Sequence, residues 1–138
     1  MAAPAVIVEA VLDSGALMAY VRGVDRVGEL LFRAAEDNFA VAVPSTCFIE
    51  AYAGLHSDDE RDMLRPLRLL PVVLVDEPHT DVNGPDDLPI IGGMAARAGR
   101  SGAGHAALVA ASHSAAVYTA LPQQIEAVLG KRWSIVEV

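Results

Sequence analysis

Two acidic residues lie in apolar stretches of the sequence, where folding would bury them. Asp13 follows the apolar run 5–12, and Glu50 follows the apolar segment 47–49. A buried carboxylate without a partner is costly, so each acid needs a cation or hydrogen-bond donors. Two carboxylates that converge repel each other unless a metal ion or a shared proton reduces the repulsion. Carboxylate oxygens are suitable ligands for Mg²⁺ or Mn²⁺. Alternatively, Asp13 caps a helix and Glu50 faces solvent or pairs with an arginine. The spacing leaves both interpretations open.

The segments that must position these acids alternate between strands and helices. Short runs of β-branched and apolar residues predict strands, and apolar residues at helical spacing predict helices between them. Segment 78–89 is polar and predicts a loop, and glycines at 99–102 predict a break between two helices. The predicted strands are 5–12, 39–43, 71–75, 115–119 and 133–138. The predicted helices run through 17–21, 24–37, 44–55, a segment from 57 that Pro66 kinks or ends, 90–98, 105–113 and 123–129.

This alternation predicts the fold class. Strands joined by helices form βαβ units, which give a parallel sheet covered by helices on both faces. We therefore expect a single domain, residues 1–138, with three α/β/α layers and a mainly parallel sheet of about five strands. Ligand sites of such folds lie beyond the carboxyl ends of the strands. That rule selects Asp13, Thr119 and the start of the helix that carries Glu50.

Composition excludes several classes of protein. The chain has 138 residues, of which 53% are hydrophobic, and this excludes intrinsic disorder. A single cysteine, Cys47, excludes a disulfide scaffold and fits a reducing compartment. The net charge of -8 argues against a protein that grips nucleic acid by neutralising phosphates. No signal peptide or membrane-spanning run is visible, so we expect a soluble, cytoplasmic protein without a membrane partner.

Two segments resemble the acidic motifs of a known family. Residues 11–17, Val-Leu-Asp-Ser-Gly-Ala-Leu, resemble the opening strand and loop of the PIN domain, and residues 43–51 resemble its second acidic motif. The order of elements resembles that family from end to end, most closely the toxins of VapC-type toxin–antitoxin pairs. The resemblance implies a ribonuclease that holds Mg²⁺ or Mn²⁺ through Asp13 and Glu50. It also implies a homodimer, an RNA substrate, and a cognate antitoxin that blocks the site.

The second half of the chain departs from that family. His105 stands where the third acid is expected, and Leu121 stands where the fourth is expected, although Thr119 is kept. Two interpretations follow. His105 completes a site for a softer metal with Asp13 and Glu50, or its imidazolium replaces the metal and leaves a closed polar cluster without hydrolysis.

Two functions therefore remain open. One is a metal-dependent endoribonuclease, in which Thr119 orients a carboxylate or water and two arginines meet RNA phosphates. The other is a PIN-like module without nuclease activity and without a cofactor, which binds a protein or RNA partner. The candidate catalytic residues are Asp13, Glu50, His105 and Thr119, and the candidate substrate-binding residues are Arg97 and Arg100.

Overall fold

The fold is a five-stranded sheet with helices between the strands, in a computed structural model that describes residues 6–81 and 83–138. The strands are β1 (Val8–Leu12), β2 (Ala40–Pro44), β3 (Val73–Asp76), β4 (Ala116–Thr119) and β5 (Ile135–Glu137). The helices are α1 (Ser14–Val21), α2 (Asp25–Asp37), α3 (Ser45–Gly54), α4 (Asp58–Leu64), α5 (Asp87–Ala98), α6 (Ser101–His113) and α7 (Pro122–Leu129), with a 3-10 turn at Arg65–Leu69 after α4.

The order of strands across the sheet is β3-β2-β1-β4-β5, and every adjacent pair is parallel. The predicted three-layer α/β/α class is thus confirmed, with the sheet wholly parallel among the described strands. The central strands carry nearly continuous apolar runs because both of their faces are buried. This topology brings the carboxyl ends of β1, β2 and β4 to the same edge of the sheet.

Several predicted boundaries differ from the structure. The first strand was expected from residue 5, which lies outside the described residues, and it begins at Val8. The third strand spans Val73–Asp76, two residues later at its start than predicted, and the last is limited to Ile135–Glu137. Pro66 lies in the 3-10 turn that follows α4, so it ends that helix.

The largest difference concerns the start of α6. The glycine-rich segment was expected to separate two helices and to leave the second beginning at residue 105. Instead α6 begins at Ser101, and only Gly99 has the left-handed conformation that ends α5, with φ of 102°. Gly104 is needed for close packing, since a Cβ there would lie 2.6 Å from the carbonyl oxygen of Ile91. Gly104 therefore lets α5 and α6 approach each other closely.

No helix in the described ranges has both the length and the apolar character needed to cross a bilayer.

Candidate functional site

Asp13 lies at the carboxyl end of β1 and is completely buried. Its Oδ1 accepts a hydrogen bond from the Ala16 N–H at 3.0 Å, which caps α1. Its Oδ2 makes no hydrogen bond. Burial raises the pKa of Asp13, while the Thr119 hydroxyl, the N–H groups of Ala16 and Gly15, and the charge of Arg100 act in the opposite direction. Ionisation of Asp13 in this buried position therefore costs free energy.

Glu50 reaches the same region from the second turn of α3. Its Oε2 accepts a hydrogen bond from the Gly102 N–H at 3.0 Å, at the amino end of α6 where helix N–H groups lack partners. Its Oε1 is buried and makes no hydrogen bond. A Cβ at position 102 would overlap Oε1 and lie 2.7 Å from Cδ of Glu50. Glycine at this position therefore makes room for the carboxylate.

The guanidinium of Arg100 faces both acids. Its Nη2 lies 3.7 Å from Oδ2 of Asp13, and its Nη1 lies 3.8 Å from Oε1 of Glu50. Nη1 also donates to the Ser14 hydroxyl at 2.7 Å, and Nε donates to the Gln124 side-chain oxygen at 2.9 Å. The arginine side chain is 30% exposed. Asp13 and Glu50 thus do converge, and the cation that faces them belongs to the protein.

His105 lies in a different cluster. Its imidazole is buried, with Nδ1 at 2.7 Å from the Thr46 hydroxyl and Nε2 at 3.3 Å from a carboxylate oxygen of Asp76. No ion pair joins it to Asp13 or Glu50 within the described chain. This position corrects the expectation that His105 lies between the two acids, either as a metal ligand with them or as their counter-ion.

Thr119 and Leu121 lie in the region where the resemblance implies a fourth acid. Thr119 is buried at the end of β4, where its hydroxyl accepts the Leu121 N–H at 3.0 Å and fixes the turn into α7. The Thr119 hydroxyl also lowers the pKa of Asp13, although no hydrogen bond of standard geometry joins it to Oδ2. Leu121 is 46% exposed, so this position presents an apolar side chain in place of an acid.

Arg97 and Arg100 differ in their surroundings. Arg97 lies on the last turn of α5 and is exposed, and no hydrogen bond or ion pair ties it to another described residue. Arg100 is engaged by four protein groups, as described above. The two arginines therefore differ in their freedom to bind a ligand, and contact of either one with RNA phosphates stays a prediction.

Two observations bear on whether these residues could hold Mg²⁺ or Mn²⁺, and a metal ion at this site stays a prediction. Within the described chain, no three or more His, Cys, Asp or Glu side chains are arranged to hold a metal. The two carboxylates that converge already face a guanidinium, whose charge opposes the approach of a second cation. Their oxygens are of the type that Mg²⁺ prefers, but Arg100 takes the position between them.

Sequence reasoning missed the residues that support these two clusters. Ser14, Gln124 and Gly102 hold the arginine and Glu50, and Thr46 and Asp76 hold His105. The sequence did indicate one of these contacts, because pairing of Glu50 with an arginine was one of the two interpretations left open. Hydrogen bonds between residues distant in sequence leave no pattern in a single chain.

The sequence matches no protein-family model and gives no significant match to a curated protein. The fold resembles the crystal structure of PAE2754 from Pyrobaculum aerophilum. That likeness has a TM-score of 0.58 at 20% identity and covers 90% of this chain and 89% of the other. At this identity the likeness shows the fold alone. The chain is thus a three-layer α/β/α protein in which two acids at the carboxyl edge of the sheet face one arginine.

Proposed function

We propose that this chain is a PIN-like protein that works by binding a partner macromolecule and not by metal-dependent hydrolysis of RNA. The observation that carries the proposal is the position of Arg100, whose guanidinium faces both Asp13 and Glu50. The positions expected to supply two further acids hold His105, which bonds to Thr46 and Asp76, and the exposed Leu121. Arg100 therefore offsets one of the two carboxylate charges of this pair.

A protein partner is favoured over RNA. The net charge of -8 repels a polyphosphate backbone, and the arginine nearest the acids is already engaged by protein groups. The resemblance to toxins of toxin–antitoxin pairs implies an antitoxin as that partner and a homodimer as the binding form. The antitoxin and the homodimer are both parts of this proposal. Analytical sedimentation of the purified chain, with and without the candidate partner, measures the masses of the homodimer and of the complex.

A metal-dependent endoribonuclease is the second candidate. It is favoured by the two buried oxygens without hydrogen bonds, Oδ2 of Asp13 and Oε1 of Glu50. If a divalent ion displaced Arg100, these atoms would be its protein ligands. The ion would then supply charge stabilisation and activation of water.

Cleavage of a fluorescent single-stranded RNA of mixed sequence, in Mg²⁺ and in Mn²⁺, separates the two candidates. The proposal predicts that the wild-type protein and an Asp13→Asn variant show the same background, since any cleavage then comes from contaminants. Metal-dependent cleavage by the wild type that is lost in Asp13→Asn would establish the ribonuclease and overturn the proposal.

A further inference from the structure

A hydroxyl, an imidazole and a carboxylate form a chain of contacts through His105. The Thr46 hydroxyl lies 2.7 Å from Nδ1 of His105, and Nε2 of the same ring lies 3.3 Å from Oδ1 of Asp76. A hydroxyl within hydrogen-bond distance of a base, with the base oriented by a third group, is the arrangement that activates nucleophiles for acyl transfer. The three side chains therefore have the connectivity of a catalytic triad.

The proton positions in this chain of contacts follow from the chemistry of its members. An ionised carboxylate only accepts hydrogen bonds, so Nε2 of His105 carries the proton that it donates to Asp76. The neutral ring then has its lone pair on Nδ1, to which the Thr46 hydroxyl donates. This is the tautomer that a general base requires, and Asp76 is the positioning residue that selects it.

The two ends of this chain of contacts reach the surface, while its centre is buried. His105 is 1% exposed, whereas Thr46 is partly buried and the Asp76 side chain is 23% exposed. Pro44 and Asp76 pair at the ends of β2 and β3, so Thr46 lies just beyond the carboxyl ends of these strands, where parallel α/β folds bind ligands. Thr46 is also the second residue of α3, whose first N–H groups have no acceptor within the helix. Such N–H groups stabilise the negative charge that develops on a carbonyl oxygen under attack.

We propose that Thr46, His105 and Asp76 form an acyl-transfer site that hydrolyses small activated esters, with Thr46 as the nucleophile. The Thr46 oxygen attacks the carbonyl carbon of the ester while its proton passes to Nδ1 of His105. The bond from that carbon to the leaving oxygen then breaks, and the leaving group takes the electron pair of that bond and the proton from Nδ1.

Water then reverses the acylation of Thr46. His105 takes a proton from water, the water oxygen bonds to the acyl carbon, and the Thr46 oxygen leaves with its electron pair and recovers the proton from Nδ1. The products are a carboxylic acid and an alcohol, and water is the only co-reactant. This activity is separate from the partner binding proposed above and does not depend on it.

Release of p-nitrophenolate from p-nitrophenyl acetate by the full chain tests the inference, together with mass spectrometry that locates the acetyl group. Thr46→Val removes the nucleophile and keeps the shape of the side chain, Thr46→Ser keeps the hydroxyl, and Thr80→Val is the matched control on an exposed threonine. We expect the wild type and Thr46→Ser to release p-nitrophenolate at least about a hundred-fold faster than Thr46→Val. Thr80→Val should behave as the wild type, and acid quenching should trap the acetyl group on Thr46.

Two further variants test the roles of the imidazole and the carboxylate. His105→Gln removes the base and should lower the rate by about 10²–10⁴-fold, while His113→Gln, on the exposed end of the same helix, should leave it unchanged. Asp76→Asn should lower kcat by at least about ten-fold and leave KM unchanged, because an amide does not select the tautomer of the base. A merely structural role of Asp76 would leave kcat per folded molecule unchanged.

Three results would overturn the inference. The wild type could release p-nitrophenolate no faster than Thr46→Val, the acetyl group could be trapped on another residue while Thr46 stays unmodified, or folded His105→Gln could keep the wild-type rate. If His105→Gln lacks the circular dichroism spectrum of a folded protein, or if no acetyl group accumulates, the two Thr46 variants decide. A higher rate for Thr46→Ser than for Thr46→Val then supports the inference, and equal rates contradict it.

Discussion

Replacement of Arg100 should destabilise the fold through the acid that it neutralises. Arg100→Met keeps the length of the side chain but removes its charge, and Asp13 is then a buried carboxylate without a cation. Loss of one partner from a buried ion pair costs about 3–5 kcal/mol. Because the 3.7 Å separation is long and the arginine is 30% exposed, we expect a loss of about 2–3 kcal/mol in the free energy of unfolding.

Asp13→Asn removes the negative charge at position 13 but keeps a side chain of nearly the same size and shape. The asparagine oxygen can still accept the Ala16 N–H and cap α1, and the neutral side chain avoids the desolvation that raises the pKa of Asp13. We expect this variant alone to change the free energy of unfolding by less than about 1 kcal/mol. In its background, Arg100→Met should cost about 1–2 kcal/mol less than in the wild type, and that difference is the coupling energy.

Urea denaturation of the four proteins, followed by circular dichroism at neutral pH, measures the cycle. A coupling energy below about 0.3 kcal/mol would refute the interaction between Asp13 and Arg100, because mutations at independent sites already deviate from additivity by that much. Arg97→Met is the control for loss of an arginine and should leave the free energy of unfolding nearly unchanged, since Arg97 is exposed.

The pH dependence of this cycle follows from the direction of the pKa shift. The pKa of Asp13 in the folded state is raised above its ordinary value of 3.8, so the folded state binds the proton more tightly than the unfolded chain. The resulting stabilisation is present below pH 3.8 and is lost as the pH rises through the folded pKa. The stability of Asp13→Asn relative to the wild type should thus increase from acid to neutral pH. A difference that is constant or falls over this range would contradict the assignment.

Three further substitutions and one labelling experiment test the surroundings of the acids and of His105. Gly102→Ala should lower the free energy of unfolding by about 1–3 kcal/mol, because its Cβ would displace Glu50 and break the hydrogen bond to the backbone. Gly92→Ala, where a Cβ meets nothing within 4 Å, should cost nothing in the same urea denaturation. Thr46→Val should cost about 1–2 kcal/mol by leaving the buried imidazole of α6 without its hydroxyl partner, and an unchanged unfolding midpoint would contradict that. Burial raises the pKa of the Cys47 thiol, so iodoacetamide should modify it only after unfolding, and mass spectrometry showing modification of the native protein at neutral pH would contradict this.

The fold could be predicted from the sequence where burial produces a regular pattern. Strands β1 and β2 were recognisable because central parallel strands are apolar on both faces. The start of α6 was wrong by four residues, because glycines that allow close helix packing have the same composition as a turn. Nothing in the local pattern distinguishes the two roles.

That error at α6 explains most of the error at the site. With the helix beginning at residue 105, His105 would stand at its amino end beside the acids. With the helix beginning at Ser101, Arg100 is the residue that precedes the first turn, and His105 lies more than a turn further along. Asp13 and Glu50 were predictable because each follows an apolar run at the carboxyl end of a strand or shortly after one. The identity of their cation depended on which residue begins the helix.

The central claim is that the cation between Asp13 and Glu50 in the wild type is the Arg100 side chain and not a metal ion. A crystal of the wild-type protein soaked in Mn²⁺, with anomalous diffraction measured at an energy where manganese scatters, tests it most directly. We predict no anomalous peak between the two carboxylates and the Arg100 guanidinium within 4 Å of both. A peak bound to Oδ2 of Asp13 and Oε1 of Glu50, with Arg100 turned away, would contradict the account.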